Sequence, residues 1–260
     1  MSNYAGTYAA YYDYRATGLE GDVQFYVAEA RKAGPLVLEL GCGTGRILIP
    51  VAQAGLAVVG LDLSKPMLAI AQKKIAALDA ATRGRIELAE GDMRRFALGR
   101  RFNLVMIPFR AFLHLLTPED ERQALECVRE HLADDGRLIF NIFDPRLDII
   151  AAHSGPLGTA LKKDSEFVHP ETGRRFVVWD TRQYDAERQV ITQYFIHEEL
   201  DEAGGVLSKA YAPLTLRYVF RWEMQYLLEL CGFQIEALYG DFGRGLFRYG
   251  GEQIWVARKA

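Results

Sequence analysis

Val37-Leu38-Glu39-Leu40-Gly41-Cys42-Gly43-Thr44-Gly45-Arg46 (VLELGCGTGR, residues 37–46) is the stretch on which the reading of this chain turns. Leu36 to Leu40 is a short apolar run of the kind that forms a strand buried on both faces. The glycines at 41, 43 and 45 then let the backbone bend sharply and come close to a ligand, where a helix running to about Ala54 presents its positive end. Buried strand, glycine turn and helix together predict the first unit of an open, mostly parallel sheet.

The pattern repeats downstream. Ala57 to Leu61 reads as a second strand, and Ser64 caps a helix from about Lys65 to Leu78, with Pro66 in its first turn. Arg85 to Ala89 and Phe102 to Ile107 read as the third and fourth strands. Thr117-Pro118-Glu119-Asp120 starts a helix with apolar positions at Ala124, Leu125, Val128 and Leu132. Asp134-Asp135-Gly136 is expected to turn the chain into a fifth strand, Arg137 to Phe143. Such alternation marks a doubly wound α/β sheet.

Beyond this the rhythm changes. RFVVWDTRQYD, RQVITQYFIHEEL and VLSKAYAPLTLRYV, between about Arg174 and Arg217, are rich in β-branched and aromatic residues and separated by turn-type residues. They predict an inserted antiparallel meander, after which a helix at Arg221 to Leu230 and strands at Phe233 to Tyr239 and Gln253 to Ala257 close the chain. The expected organisation is an N-terminal helical lid (1–30), an α/β domain (31–150 and 218–260) and an inserted β subdomain (151–217) that roofs the acceptor site or forms a dimer face.

With 260 residues, half of them apolar, the chain can bury a large core, and 31 basic against 34 acidic side chains disfavour a nucleic-acid partner. The pairs Arg94-Arg95 and Arg100-Arg101 read as solvated loop ends. Three scattered cysteines suit a reduced cytoplasm better than a disulfide framework or a metal site, and none is expected. The tyrosine-rich N-terminus lacks the pattern of a signal peptide, and no apolar run is long enough for a membrane span. A cytoplasmic protein without membrane or nucleic-acid partners is the expectation, as monomer or homodimer.

Asp62 ends the second strand, where a carboxylate can accept both hydroxyls of a ribose, and Asp92 follows the third, where it can accept from the amine of adenine. Three such features on successive strands describe a nucleoside site at the carboxyl edge of the sheet. Here VLELGCGTGR, Gly60 to Ser64 (GLDLS) and Gly91-Asp92-Met93, with Gly136 to Phe140 (GRLIF), resemble the motifs of class I S-adenosylmethionine-dependent methyltransferases. The resemblance implies a Rossmann-like sheet of seven strands, the last antiparallel, S-adenosylmethionine as cofactor and S-adenosylhomocysteine as product. It also implies that Glu39 and Gly41 to Gly45 cradle the methionine part, Asp62 holds the ribose, Leu63 and Met93 sandwich the adenine and Asp92 binds its amine. Cys42, Arg46, Met67, Gly91 and Pro108 complete the expected cofactor contacts, with Tyr14 from an N-terminal segment that resembles the lids of small-molecule N-methyltransferases or else is an aromatic helix face packed on the core. A GxGxG spacing with a glutamate two residues ahead sets the turn apart from nicotinamide-binding GxGxxG.

For the acceptor, the loops after the fourth and fifth strands supply Phe109, Arg110, Phe112 and Phe143, with Tyr12 from the lid. His114 is the candidate general base, or else a histidine that merely hydrogen-bonds at a helix edge. Arg110 either binds an anionic group or is solvated. Asp144 has no second carboxylate at a metal-binding spacing. The expected activity is methylation of a small molecule, at nitrogen rather than oxygen. The alternatives are an RNA or protein acceptor, or a non-catalytic binder of the cofactor; Ile107-Pro108-Phe109 lacks the polar residue of the tetrad used on planar exocyclic amines.

Overall fold

A computed structural model describes residues 7–15, 17–154, 160–170 and 172–260, and the chain divides into two compact units. One comprises Gly18–Pro145 and Val219–Ala260, the other Met1–Thr17 and Arg146–Tyr218. Residues 18–30, grouped above with the lid, therefore go with the α/β unit.

The larger unit contains α2 (Asp22–Ala33), β1 (Leu36–Leu40), α3 (Leu48–Gln53), β2 (Ala57–Asp62), α4 (Lys65–Ala76), α5 (Ala80–Arg83), β3 (Ile86–Glu90) and β4 (Phe102–Ile107). A 3-10 turn (Ala111–His114), α6 (Pro118–His131), β5 (Leu132–Phe143), α8 (Arg221–Leu230), β10 (Phe233–Tyr239) and β11 (Glu252–Lys259) follow. Its seven-stranded sheet has the order β10-β11-β5-β4-β1-β2-β3, parallel except for β11, which runs antiparallel to both neighbours. The expected fold is the observed one. Val37, Leu38 and Leu40 are fully buried in β1 and Leu104, Val105 and Met106 in β4, so the central strands are apolar on both faces. Ser64 and Thr117 cap α4 and α6 as their sequences predict, each with proline in the first turn. The turn expected at Asp134-Asp135-Gly136 is instead an irregularity within β5: its partner in β4 steps from Phe102↔Leu132 to Leu104↔Arg137.

The smaller unit holds α1 (Thr7–Arg15), α7 (Leu147–His153), β6 (Lys162–Val168), β7 (Arg175–Asp185), β8 (Val190–Leu200) and β9 (Val206–Arg217). Its antiparallel sheet has four strands in chain order, one more than predicted. The extra strand, β6, reads KKDSEFV and is largely exposed; it is a polar edge strand without the apolar alternation that reveals its neighbours. Val178, Phe195, Ala212 and Leu214 form the core of this unit, with Tyr12, Phe167 and Leu216 packed against it. Among the described residues, no helix is long and apolar enough to cross a membrane.

Candidate functional site

The glycine turn adopts the conformation its composition predicts. Gly41, Gly43 and Gly45 have φ of 69°, 55° and 85°, in the left-handed region where other residues are strained. Gly41 also has no room for a side chain, since a Cβ there lies 2.7 Å from Cβ of Ala111 in the 3-10 turn after β4. Met93, beyond β3, brings its methyl within 3.7 Å of the same point, and Met67 of α4 comes within 3.5 Å of a Cβ on Gly43. Segments following β1, β2, β3 and β4 thus converge on one turn at the carboxyl edge of the sheet. Cys42 is buried against the bare backbone of Gly60, and burial pushes its thiol pKa up, so it is a packing residue with an unreactive sulfur.

Glu39, on β1, is 2% exposed, and its Oε2 has no hydrogen-bond partner. Burial raises its pKa well above the usual carboxylate range; Asp62 adds to this and Arg46 opposes it. Arg46 is engaged otherwise: it pairs with Asp22 of α2 at 2.8 Å, and its guanidinium lies 4.8 Å above the Phe109 ring. Asp62 already accepts backbone N–H groups, from Gly43 at 2.7 Å and Ser64 at 2.8 Å, clamping the glycine turn to the end of β2. Burial raises the Asp62 pKa against those hydrogen bonds. Each of its oxygens keeps a second lone pair for a ligand hydroxyl. Leu63 beside it is 51% exposed, an uncovered apolar wall. Asp92 is gripped by the Arg94 guanidinium, which lowers its pKa, and Arg94 extends to Asp120 at 2.8 Å. Arg94, read from sequence as a solvated loop end, is therefore a bridge that fixes the Gly91-Asp92-Met93 turn.

At the end of β4, Pro108 is buried, and both Phe109 (φ 52°) and Arg110 (φ 65°) sit in the left-handed region. Consecutive strained non-glycine residues persist only where neighbours hold them. The holder is Asn141 on β5, fully buried: its Oδ1 accepts from Phe109 N–H and from the Tyr26 hydroxyl, both at 2.8 Å. Its Nδ2 donates to Glu252 at 2.9 Å, and Glu252 pairs through its other oxygen with Arg110, whose guanidinium lies 5.5 Å from the Phe143 ring. Arg110 is thus already ion-paired, with 36% of its side chain exposed. Tyr26 and Glu252 escaped the sequence reading, because no local motif links residues 111 and 115 positions away from Asn141.

Phe112, Tyr12, Tyr14 and Asp144 each have neighbours that the sequence does not announce. Phe112 is fully buried against Phe140 at 5.1 Å between ring centroids, so it is a core residue rather than a pocket wall. Tyr12 packs on the core of the smaller unit, and Tyr14 stacks on Phe167 at 5.8 Å in that same unit. Asp144 accepts from Gly250 N–H and Gln253 Nε2, both at 2.8 Å, which makes it a clasp for the β11 edge.

His114 ends the 3-10 turn. Part of its surface is accessible, but dense packing desolvates the ring and lowers its pKa to about 4. Between pH 6.5 and 4 the unfolded chain protonates this imidazole and the folded chain does not. Stability from this group is therefore complete above pH 6.5 and falls by about 2–3 kcal/mol as pH drops to 4. Urea titrations across that range should show the slope in wild type and its loss in His114→Gln; equal slopes would contradict the burial of the imidazole.

The donor set fits S-adenosylmethionine on the structure's own terms: a buried carboxylate oxygen lacking a partner, a cradle that a Cβ would fill, an uncovered apolar wall and two further carboxylates. Residues 37–136 match the model of a family described as a methyltransferase domain. Over those residues the chain carries the methyltransferase domain that this family describes. Across its full length it is similar to the CcbJ methyltransferase from Streptomyces caelestis (TM-score 0.83, 25% identity, 98% of that chain). It is 34% identical over 146 residues, 54% of either chain, to the dTDP-3-amino-3,6-dideoxy-alpha-D-glucopyranose N,N-dimethyltransferase of Streptomyces fradiae. The glycopeptide N-methyltransferase MtfA, solved in complex with S-adenosylmethionine, aligns with 26% identity and a TM-score of 0.57 over 90% of this chain and 94% of that one. The aligned stretch spans about half the length of several curated relatives, 44% and 54% in two of them.

Proposed function

We propose that this chain transfers a methyl group from S-adenosylmethionine to an amine nitrogen of a small molecule. The observation that carries the donor half is Glu39: a buried carboxylate with an unpartnered oxygen beside the glycine cradle is costly unless a cation completes it. The nitrogen preference is supported by the relatives named for N-methylation.

When bound, S-adenosylmethionine supplies an electrophilic methyl carbon, so the protein need only align the acceptor, exclude water and hold protons. In this reading Glu39 accepts the cofactor's ammonium, and Gly41, Gly43 and Gly45 give its chain room. Asp62 holds the ribose, Leu63 and Met93 flank the adenine, and Asp92, anchored by Arg94, takes the amine. The Phe109–Arg110 corner, braced by Asn141 and Glu252, fronts the acceptor. His114, with a pKa of about 4, stays neutral at pH 7 and accepts a hydrogen bond. So weak a base orients an N–H group better than it removes a proton from an ammonium.

Incubating the protein with S-adenosylmethionine and matched pairs of amino and hydroxy sugar nucleotides tests the reading by mass spectrometry. Methylated product and S-adenosylhomocysteine should form with amino compounds only. Transfer to the hydroxy partners instead would overturn the nitrogen assignment.

A further inference from the structure

An open groove of about 780 Å³ lies between the start of α2 and the β10–β11 connection. We propose that this open groove binds the acceptor as an organic ammonium ion, whose nitrogen takes the methyl group only after its proton has passed to solvent, an inference that rests on the methyltransferase reading above and supplies its substrate class.

Size is the first support, because the volume suits a small organic molecule. Composition is the second. Phe25 and Phe242, edge to face at 5.5 Å and both buried, form an apolar floor. Arg244, the groove's guanidinium, shares Glu29 with Lys32 and lies 5.1 Å from the Phe25 ring. Glu252 is paired with Arg110. Glu20 and Asp241 outweigh Arg244 in the lining, so the groove attracts a cation and repels an anion. An apolar floor beside carboxylates favours an ammonium carried on an apolar body.

Position is the third support. Glu252 lines the groove and also holds Asn141 and Arg110, so an occupant lies one side chain away from the strained Phe109–Arg110 corner. The hollow is therefore joined to the reaction edge of the sheet by the contacts that brace that edge.

Fluorine NMR with para-fluorobenzylammonium, and with para-fluorobenzyl alcohol and para-fluorobenzoate as neutral and anionic counterparts, tests this on the full chain with and without S-adenosylhomocysteine. The ammonium signal should broaden and shift strongly, the alcohol weakly and the benzoate not at all. Glu20→Gln with Asp241→Asn should weaken ammonium binding about tenfold while leaving S-adenosylhomocysteine affinity, read by calorimetry, unchanged. Phe242→Ala should weaken ammonium and alcohol together. Equal response to all three probes, or ammonium binding indifferent to loss of the two carboxylates, would overturn the proposal. Failure of S-adenosylhomocysteine to bind would instead overturn the methyltransferase reading, because the ammonium titration is read without it as well.

Discussion

Gly41→Ala should destabilise the protein by about 3 kcal/mol and abolish cofactor binding, and Ala111→Gly in the same chain should restore most of the stability. A Cβ on residue 41 lies 2.7 Å from that of Ala111, far inside contact distance, and overpacking of this kind costs about 1–3 kcal/mol. The backbone at φ 69° adds about 1 kcal/mol for a residue other than glycine. Removing the Ala111 methyl relieves the first cost and not the second, so the double variant should stay about 1 kcal/mol below Ala111→Gly alone in urea unfolding. If Ala111→Gly rescues nothing, the turn after β1 is not packed against the segment after β4. The convergence that builds the site would then be wrong.

Glu39→Gln should weaken S-adenosylmethionine binding by at least about a hundredfold, yet leave the cofactor-free protein as stable as wild type or more so. The two effects have one cause. A carboxylate 2% exposed and lacking a partner on Oε2 is unfavourable in the empty protein, and its raised pKa expresses that cost. An ammonium ion beside it converts the cost into a buried ion pair, and removing one member of such a pair costs about 3–5 kcal/mol. Burial makes the free carboxyl hold its proton more tightly, whereas an adjacent ammonium favours the charged form. Binding should therefore release a proton wherever the free group is protonated. Calorimetry in two buffers of different ionisation enthalpy reads that release, and Glu39→Gln should lose it. A variant that binds normally would remove Glu39 from the cofactor site.

How much of this was legible beforehand depended on how local each signal is. VLELGCGTGR, the caps at Ser64 and Thr117 and the apolar runs of β1, β2, β4 and β5 act over a few residues, and each appears where its chemistry predicts. The antiparallel last strand came from the family resemblance, because β11 reads as a strand without declaring its direction. Three kinds of feature escaped. Strand β6 is polar because it is an edge, so periodicity is silent there. The Tyr26–Asn141–Glu252–Arg110 chain joins residues far apart in sequence, through a register that only the folded sheet creates. Phe112 and Arg94 were legible as residue types and misjudged in direction: a 3-10 turn sends the ring into the core, and a loop folds the guanidinium back onto Asp92 and Asp120. These long-range contacts do not alter the donor site drawn from the motifs; they explain how its turns are held.

The central claim is that the glycine cradle and its carboxylates hold S-adenosylmethionine. Calorimetric titration of the folded wild-type chain with S-adenosylmethionine tests it most directly. One molecule should bind per chain, with release of a proton wherever free Glu39 is protonated. A protein that is folded by circular dichroism and takes up no S-adenosylmethionine would contradict it.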